Sequence, residues 1–432
     1  MKTYKVRALK NDNIKVTVPG SKSITNRALL LASLTDGQCV LKGALFSDDS
    51  RYFLKSLKDL GFEVEEDEET KTVRVLGCGG RIPNSTGTIY VGSAGTAARF
   101  LTAMLGLSSG EYVINASEQM KKRPMKPLFD VLKNMGAVIE FMEAEDALPV
   151  KIRGCFADGN AHVQKKITLD ISKSTQFLSA LLMTGCMCEN GLDIEITSEK
   201  KTGSYIDITR KMVEDFGGDV SFDGTTYSVA KKSYTPMEYQ IEPDVSAACY
   251  FYGIAAIYGV KAVVNNVHFD STQGDIRFVK LLKNMGCTVK DTDEGILVIG
   301  PDKSKREKLH GIEYLDMNNF SDQALTLANV AVFADSPTTI ANIAHIRGQE
   351  CDRLNAIAVN LKAMGIDVEE NEDSITIYPG QVKAADIETF QDHRVAMSFT
   401  LSGLSGVGIV IKDPLCCKKT FENYFDVIDT LS

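Results

Sequence analysis

The feature that most constrains the fold of this chain is a pattern that recurs along it. In each copy an amphipathic helix ends at a glycine, and a β-rich strand follows. The glycines are Gly61, Gly136, Gly217, Gly286 and Gly365. Each stands where the backbone turns left-handed after a helix, a conformation that is least costly for glycine. A period of roughly 70–80 residues indicates one supersecondary unit repeated along the chain.

A sixth copy begins at the helical pattern TFENYFDVIDTLS (420–432), but no glycine or strand follows it. The N-terminal segment TYKVRAL (3–9) has the composition of the missing strand. We therefore expect the two termini to complete one unit. Six units of βαβαββ type then fill the 432 residues.

Six such units divide naturally into two lobes of three. The pattern restarts at IEPDVSAACYFYGIAAI (241–257), after the polar, proline-containing segment 231–239. This predicts one crossover near residue 241 and, because residues 1–19 complete the last unit, a second near residue 19. The predicted lobes are residues 20–241 and residues 1–19 plus 242–432. Two connections are typical of a hinge and a closing cleft that holds the active site, and a rigid two-domain protein is the alternative.

Charge and cysteine usage argue against several function classes. The net charge of −9 gives no support to nucleic-acid or anionic-membrane binding. The ten cysteines form no CxxC pair and no zinc spacing with histidine, so we interpret them as small buried residues in a reducing compartment. The first residues contain no cleavage signal, and no apolar run approaches the length of a membrane span. We expect a cytoplasmic protein.

The segment PGSKSITNRALLLASL (19–34) predicts an anion site. Its proline and glycine end a β-rich run, and an apolar helix follows. We expect Lys22, Ser23 and Arg27 to lie in the loop that opens the helix, where unpaired N–H groups and the positive helix end attract anions. The pattern is not a P-loop, because Ser21 stands where that motif needs glycine. A capped surface helix with solvated charges is the alternative.

Further helix starts carry polar or charged residues of the same kind. They are VGSAGTAARF (91–100), KKRPMKPLF (121–129), ISKSTQF (171–177), NNFSDQAL (318–325), IRGQECDRL (346–354), QDHRVAM (391–397) and CCKKTF (416–421). Singly, each fits a structural role such as a cap, a solvated cluster or, for Glu350 and Arg353, a surface pair. Together they indicate a reaction between two anionic substrates, because Arg binds carboxylates, and Lys and helix termini bind phosphates. Asp322 and Glu350 remain for proton transfer.

In this order, the motifs resemble the 5-enolpyruvylshikimate-3-phosphate (EPSP) synthase family over nearly the whole chain. They are PGSKSITNR (19–27), GSAGTAAR (92–99), KKRPM (121–125), SKSTQF (172–177), TGSYIDIT (202–209), FSDQA (320–324), RGQECDRL (347–354), DHRVAM (392–397) and DPLCCKKTF (413–421). The resemblance implies an α/β fold, the two-lobed inside-out α/β barrel of the enolpyruvyl transferases with three βαβαββ repeats per lobe.

The resemblance also implies the reaction. The enolpyruvyl group of phosphoenolpyruvate (PEP) passes to the 5-hydroxyl of shikimate 3-phosphate, and phosphate is released. This is a step of the shikimate pathway to chorismate and the aromatic amino acids, and the family uses no metal or organic cofactor.

The binding residues implied by the resemblance fall into two sets. For shikimate 3-phosphate they are Lys22, Ser23, Arg27, Ser174, Thr175, Gln176, Thr202, Tyr205, Asp322, His345 and Gln349. For PEP they are Lys22, Ser93, Gly95, Arg123, Gln176, Arg353, Arg394 and Lys419. Asp322 would take the proton of the 5-hydroxyl, and Glu350, with Lys22 or Lys419, would deliver a proton to the enol methylene. Addition gives a tetrahedral ketal phosphate, from which phosphate is eliminated.

Three positions depart from the family pattern. Gln349 stands where the family usually has lysine, so a cation near the shikimate hydroxyls is lost. His345 replaces a common asparagine, and Ser93 replaces the asparagine of the glycine-rich turn. Because Gln, His and Ser still form hydrogen bonds, we expect these changes to affect the tightness of substrate binding more than the reaction.

Two alternative functions stay open. The sister enzyme transfers the same group to UDP-N-acetylglucosamine, but it usually has asparagine at the position of Ser23 and a reactive cysteine that segment 110–124 lacks. A non-catalytic anion-binding paralogue is the other alternative. The joint presence of Lys22, Asp322 and Glu350 argues against it. We expect the protein to be a monomer.

Overall fold

The structure is a computed structural model that describes residues 2–157 and 165–432. The chain forms two compact units. We call Gly20–Ile241 the inserted unit, and Met1–Pro19 together with Glu242–Ser432 the terminal unit. Each unit has a hydrophobic core of its own.

Within the described residues, the strands form six sheets, three in each unit. In chain order the strands are β1 Thr3–Lys5, β2 Asn13–Val16, β3 Asp36–Lys42, β4 Glu63–Asp67, β5 Thr72–Cys78, β6 Thr86–Tyr90, β7 Glu111–Asn115, β8 Val138–Phe141, β9 Val150–Arg153, β10 Lys166–Leu169, β11 Leu192–Ile196, β12 Val220–Phe222, β13 Thr226–Val229, β14 Glu238–Gln240, β15 Lys261–Val264, β16 Thr288–Thr292, β17 Gly295–Ile299, β18 Leu315–Asp316, β19 Thr338–Ala341, β20 Val368–Glu370, β21 Ile375–Ile377, β22 Asp386–Ile387 and β23 Val410–Lys412.

Helices alternate with these strands. They are α1 Lys22–Leu34, α2 Asp48–Asp59, α3 Gly95–Gly106, α4 Glu118–Lys121, α5 Lys126–Asn134, α6 Gln176–Thr184, α7 Ser204–Asp215, α8 Val245–Tyr258, α9 Ile276–Asn284, α10 Ala324–Ala331, α11 Arg353–Ala363, α12 His393–Gly403 and α13 Tyr424–Leu431. In the parts of the chain that the structure describes, no helix has both the length and the apolar character needed to cross a membrane.

Five of the sheets share one plan, and the sixth is shorter. A parallel pair of strands is extended by an antiparallel strand and its hairpin partner, as in β6-β7-β9-β8 and β18-β19-β21-β20. With α3 and α5, or α10 and α11, between the strands, each sheet belongs to one βαβαββ unit. The sixth sheet, β1-β23-β22, has three strands. The predicted α/β fold with repeated units is confirmed.

The strand that precedes each crossover completes the first sheet of the unit that the chain is about to leave. β14 pairs in parallel with β3, and β2 pairs in parallel with β15. The prediction that the whole N-terminal segment completes the last repeat was therefore only half right. β1 joins β23, but β2 lies in the sheet of residues 261–299, where its alternate side chains Ile14 and Val16 are buried.

Buried helices form the centre of each unit. In the inserted unit α1, α3 and α6 are buried along nearly their whole length and pack against one another. In the terminal unit α8, α10 and α12 do the same. A helix that is apolar on every side must be covered on every side. The polar residues at the starts of these helices depart from this apolar pattern, so they are candidates for a functional role.

The glycines that define the repeat all have the predicted left-handed backbone. The φ angles of Gly61, Gly136, Gly217, Gly286 and Gly365 are 91°, 102°, 82°, 104° and 77°. Each follows a helix that buries one face, and each precedes a strand. The local prediction is confirmed at every copy.

We predict that Gly136→Ala lowers the free energy of unfolding by about 1–2 kcal/mol, the usual cost of left-handed backbone for an L-residue. A Cβ at Gly136 would meet no atom closer than Cβ of Cys155, at 3.9 Å, so the loss would come from the backbone alone. Gly348→Ala is the control, because a Cβ there meets nothing within 4 Å and its φ is not left-handed. Urea unfolding followed by circular dichroism measures both, and equal losses would contradict the prediction.

Candidate active site

The starts of the three buried helices of the inserted unit lie side by side. Nδ2 of Asn26, in α1, donates to Oγ1 of Thr96, in α3, at 2.5 Å. Nη1 of Arg99, in α3, donates to Oε1 of Gln176, the first residue of α6, at 2.8 Å. Because the first N–H groups of a helix lack intrahelical partners and carry partial positive charge, these neighbouring ends favour anions.

The prediction that Lys22, Ser23 and Arg27 lie in the loop that opens α1 was wrong, because all three lie in the helix itself, Lys22 and Ser23 in its first turn. Ser21 is the N-cap residue in extended conformation, and its side chain makes no capping hydrogen bond. Gly20 allows the chain to enter this way. A Cβ at Gly20 would lie 1.9 Å from the carbonyl oxygen of Gly43.

Lys22 faces a carboxylate that the sequence analysis did not single out. Its Nζ lies 3.4 Å from Oδ2 of Asp49, in the first turn of α2. The Asp49 side chain is only 2% exposed, and that of Lys22 is 15% exposed. A buried carboxylate at this distance orients the ammonium group while leaving it accessible to a ligand.

Arg27 is fully buried and contacts two other predicted substrate residues, Ser23 and Tyr205. Its Nε donates to Oγ1 of Thr209 at 2.8 Å, and its Nη2 donates to Oγ of Ser179 at 3.1 Å. Its Nη groups also donate to the carbonyl oxygens of Ser23 and Tyr205, at 2.9 and 3.1 Å. Burial lowers the pKa of Arg27 to about 10, so the guanidinium stays charged at neutral pH.

Gly95 lies under two guanidinium groups. A Cβ at Gly95 would be 2.6 Å from Nη1 of Arg123 and 2.7 Å from Nη1 of Arg99. Since Arg99 also holds the side chain of Gln176, three predicted PEP residues, Gly95, Arg123 and Gln176, lie together at one place. Ser93 is partly exposed in the turn that precedes α3.

The residues predicted to bind the phosphate group of shikimate 3-phosphate lie on two adjacent segments of the chain. Oγ of Ser174 accepts a hydrogen bond from the N–H of Gln176 at 3.2 Å, and Thr175 is the N-cap of α6 without a side-chain capping bond. Gly203, next to Thr202, lies against Thr175, since a Cβ there would be 3.9 Å from Cγ2 of Thr175. The three hydroxyl residues therefore lie near a helix start.

The centre of the terminal unit's cluster is Arg353, which is 1% exposed. Its Nε donates to Oδ2 of Asp392 at 2.7 Å, and its Nη2 donates to Oδ1 of the same residue at 3.3 Å and to Oε2 of Glu350 at 2.9 Å. Its Nη1 donates to Oδ1 of Asp322 at 2.9 Å and to the side-chain oxygen of Gln349. All five of its N–H groups are engaged. Burial alone would lower the pKa of Arg353, but the charges of these carboxylates raise it.

Two carboxylates each bridge a pair of cations. Asp322 contacts Arg353 through Oδ1, and its Oδ2 lies 3.1 Å from Nη2 of Arg394. Glu350 contacts Arg353 through Oε2, and its Oε1 lies 3.1 Å from Nζ of Lys419. The side chains of Glu350 and Lys419 are 9% and 8% exposed. The alternative that Glu350 and Arg353 form a surface pair is therefore wrong.

His345 occupies the edge of the same cluster. Its Nε2 forms a hydrogen bond of 2.7 Å with Oγ of Ser321, the residue before Asp322. His345 and Ser321 are both partly buried. Two of the three departures from the family pattern, His345 and Gln349, thus contact residues adjacent to the carboxylates.

Three charged residues that contact predicted site residues were not assigned from the sequence. They are Asp49 beside Lys22, Arg99 beside Gln176 and Asp392 beside Arg353. Asp49 and Asp392 both stand at helix starts, where an aspartate is ordinary, so nothing in the local sequence distinguishes them. Only their burial, 1% and 0% exposed, marks them as partners of buried cations.

The two clusters differ in what they can do chemically. In the inserted unit, cations and helix N-termini predominate, which suits the binding of phosphate and carboxylate groups. In the terminal unit, Asp322 and Glu350 are carboxylates held by fixed hydrogen bonds, and Lys419 lies within proton-transfer distance of Glu350. Such an arrangement suits general acid–base catalysis on an anionic substrate.

Comparison with known proteins points in one direction. A family model described as EPSP synthase (3-phosphoshikimate 1-carboxyvinyltransferase) matches residues 6–428. The curated 3-phosphoshikimate 1-carboxyvinyltransferase of Nostoc punctiforme is 40% identical over 429 residues, which cover 98% of each chain. The protein of that name from Serratia proteamaculans is 40% identical over 427 residues, covering 97% of this chain and 96% of the relative.

Solved structures show the same likeness. EPSP synthase from Acinetobacter baumannii superposes with a TM-score of 0.80 at 26% identity, covering 100% of this chain and 98% of that one. The enolpyruvyl transferase NikO from Streptomyces tendae gives a TM-score of 0.74 at 13% identity, covering 99% and 97% of the two chains. The likeness to NikO shows a shared fold only.

We predict that Arg353→Met lowers the free energy of unfolding by about 3–5 kcal/mol, because buried carboxylates then lose their shared cation. Arg347→Met is the matched control. Arg347 also pairs with two carboxylates, Asp352 and Glu370, at 2.9 and 2.8 Å, but its side chain is 27% exposed, so we expect about 1 kcal/mol or less. Circular dichroism in urea measures both variants, and a loss at Arg353 no larger than at Arg347 would contradict the prediction.

Proposed function

The chain belongs to the EPSP synthase family, and from this membership we propose how its residues carry out the family's reaction. The enzyme transfers the enolpyruvyl group of PEP to the 5-hydroxyl of shikimate 3-phosphate and releases phosphate. The observation that carries the assignment of roles is the network of Asp322 and Glu350 with Arg353, Arg394 and Lys419. It provides paired proton-transfer groups beside cations for an anionic substrate.

The inserted unit binds shikimate 3-phosphate in this proposal. Ser174, Thr175 and Thr202 hold its 3-phosphate at the start of α6, where hydroxyls and helix N–H groups favour the anion. Ser23 and Arg27 bind its carboxylate. The proposal is supported by the contact of Arg27 with the carbonyl of Ser23, which fixes the first turn of α1 around the ligand. Tyr205 lies beside the shikimate ring, Gln176 contacts the substrate at the start of α6, and His345 and Gln349 bind its hydroxyls.

PEP is held by two groups of residues. Gly95, Arg123, Gln176 and Lys419 bind its phosphate, with Ser93 at the glycine-rich turn. Gly95 has no side chain, so a phosphate can approach the backbone N–H groups and the guanidinium of Arg123 together.

The PEP carboxylate binds to Arg353 and Arg394. Because the N–H groups of Arg353 are all engaged by protein acceptors, the ligand has to replace one of them. Gln349 is the only uncharged side chain among these acceptors, and its displacement leaves no unpaired charge. We therefore expect the PEP carboxylate to displace the side chain of Gln349, the residue that stands where the family has lysine, from Arg353.

The chemistry divides between two carboxylates. Asp322 takes the proton of the 5-hydroxyl as the hydroxyl oxygen attacks C2 of PEP. Glu350, with Lys419 or Lys22, gives a proton to the methylene carbon of PEP. The product of this addition is a tetrahedral ketal phosphate. Glu350 then takes back a proton from the methyl group as phosphate departs, which restores the carbon–carbon double bond, and Asp322 passes the proton that it took to the departing phosphate. Lys22, held by Asp49, contacts both substrates and balances the developing negative charge.

We also propose that the enzyme acts as a monomer in the cytoplasm. All ten cysteines are free thiols, as in proteins of a reducing compartment. Each unit is complete around its own core. Sedimentation of the purified enzyme at micromolar concentration tests the first part of this proposal, and a dimer would overturn it.

The direct test of the reaction is phosphate release by purified protein from PEP, with either shikimate 3-phosphate or UDP-N-acetylglucosamine as the acceptor. We expect release with the shikimate ester alone. Release with the nucleotide sugar alone would support the proposed chemistry but show that the acceptor is the nucleotide sugar and not the shikimate ester. If circular dichroism shows folded protein and neither acceptor supports release, the protein is a binding paralogue.

We predict that Asp322→Asn lowers kcat by a factor on the order of 10² or more, with both KM values little changed, because the amide cannot accept the hydroxyl proton. Asp335→Asn is the control, since Asp335 pairs with His310 at an exposed position of the same unit. Steady-state phosphate release measures both variants. Near-normal turnover of Asp322→Asn would show that Asp322 only orients the two arginines.

A further inference from the structure

One buried carboxylate next to the catalytic cluster has no part in the roles described so far. Asp275 is 5% exposed and stands at the N-cap of α9, but its side chain makes no capping hydrogen bond. Its Oδ2 instead accepts hydrogen bonds from Oγ of Ser246, in α8, and from Nε2 of Gln323, the latter at 3.0 Å. The carboxylate of Asp275 therefore binds two other segments instead of capping its own helix.

Both partners of Asp275 lead to the catalytic cluster. Nη2 of Arg394 donates to Oγ of Ser246 at 3.3 Å, and the same Nη2 donates to Oδ2 of Asp322 at 3.1 Å. Gln323 directly follows Asp322 in the short helical turn that precedes α10. Asp275 therefore reaches Arg394 through one hydrogen bond and the turn that carries Asp322 through another.

The direction of these hydrogen bonds depends on the charge of Asp275. An ionised carboxylate only accepts hydrogen bonds, so the hydroxyl of Ser246 must donate to it and turns its lone pairs to Arg394. A protonated carboxyl group can donate to Ser246 instead. The hydroxyl oxygen is then shared, and the contact with Arg394 loses its fixed direction.

We propose that Asp275 is a positioning residue that acts through Ser246 to hold Arg394 in the orientation that binds the PEP carboxylate. The inference rests on the proposed function, in which Arg394 contacts that carboxylate. It assigns Asp275 no contact with substrate. Its effect should therefore appear in the KM for PEP rather than in the KM for shikimate 3-phosphate.

The surroundings of Asp275 make its charge sensitive to mildly acidic pH. Burial raises its pKa to about 6, and the neighbouring charge of Asp322 raises it too, while Arg394 and the hydrogen bonds from Ser246 and Gln323 lower it. Asp244, Cys249 and Tyr250, at or near the start of α8, are further titratable groups in this region. Asp275 therefore becomes more protonated as the pH falls from 7.5 to 5.5.

The first test compares Asp275→Ala with the parent enzyme at pH 7.5. We expect its KM for PEP to rise about tenfold, as for the loss of one hydrogen bond to a charged group, with kcat and the KM for shikimate 3-phosphate within about twofold. Cys249→Ala is the matched control. Sγ of Cys249 lies 3.7 Å from the main-chain oxygen of Asp275, so this change alters the packing without touching the path to Arg394.

The second test uses pH and Asp275→Asn, which keeps the size and one acceptor oxygen but does not titrate. When the pH is lowered from 7.5 to 5.5, part of the increase in the parent's KM for PEP should come from protonation of Asp275. The asparagine variant should lack that part of the increase. The ratio of the variant's KM to the parent's KM should therefore fall as the pH is lowered. Protonation of the substrates affects both proteins equally and cancels in the ratio.

Several outcomes would overturn the proposal. One is a normal KM for PEP in Asp275→Ala, and another is an equal rise in both KM values together with a lower melting temperature, which would indicate a structural role. A constant KM ratio across pH would also count against it. Calorimetric titration of PEP in the presence of an acceptor analogue that lacks the 5-hydroxyl measures the affinity for PEP without turnover. A parent enzyme without turnover would overturn the proposed function, whereas equal PEP affinities of parent and Asp275→Ala would overturn only the positioning role.

Discussion

The saturated guanidinium of Arg353 is the interaction on which the catalytic cluster of the terminal unit depends. Its N–H groups join the start of α11, the turn before α10 and the N-cap of α12. Charges this deeply buried are tolerated only when each has a partner in good geometry. Three carboxylates placed around one arginine would repel one another without it. The hydrogen bonds that satisfy Arg353 therefore also set the positions of Asp322 and Glu350.

The two units use one architectural plan for different chemistry. In each unit the starts of buried helices carry polar residues of the site, because sheets and outer helices cover the rest of their surface. In the inserted unit those starts carry Lys22, Gly95 and Gln176, which suit anion binding. In the terminal unit carboxylates and cations alternate, which suits proton transfer. An enolpyruvyl transfer between two anionic substrates needs both kinds of site.

Sequence patterns predicted the local elements well and the contacts between them less well. Glycine periodicity placed five helix ends, because a left-handed residue is a property of the chain within one turn. The helix starts at residues 95, 126 and 176 were likewise readable from their glycine, proline and hydroxyl residues. By contrast, Lys22 was expected in a loop. The N-cap at Ser21 depends on how closely Gly20 approaches Gly43, a contact that no local pattern contains.

The sequence by itself determined the number of repeats, the left-handed turns and, through the order of its motifs, the family and its reaction. These follow from local backbone preferences and from residues close together in the chain. Only the tertiary structure decided that β1 and β2 join different sheets, that Asp49 pairs with Lys22 and that Arg353 is surrounded by acceptors. Each of these contacts joins residues far apart in sequence, and its energy depends on burial, which is a property of the packed fold and not of the chain.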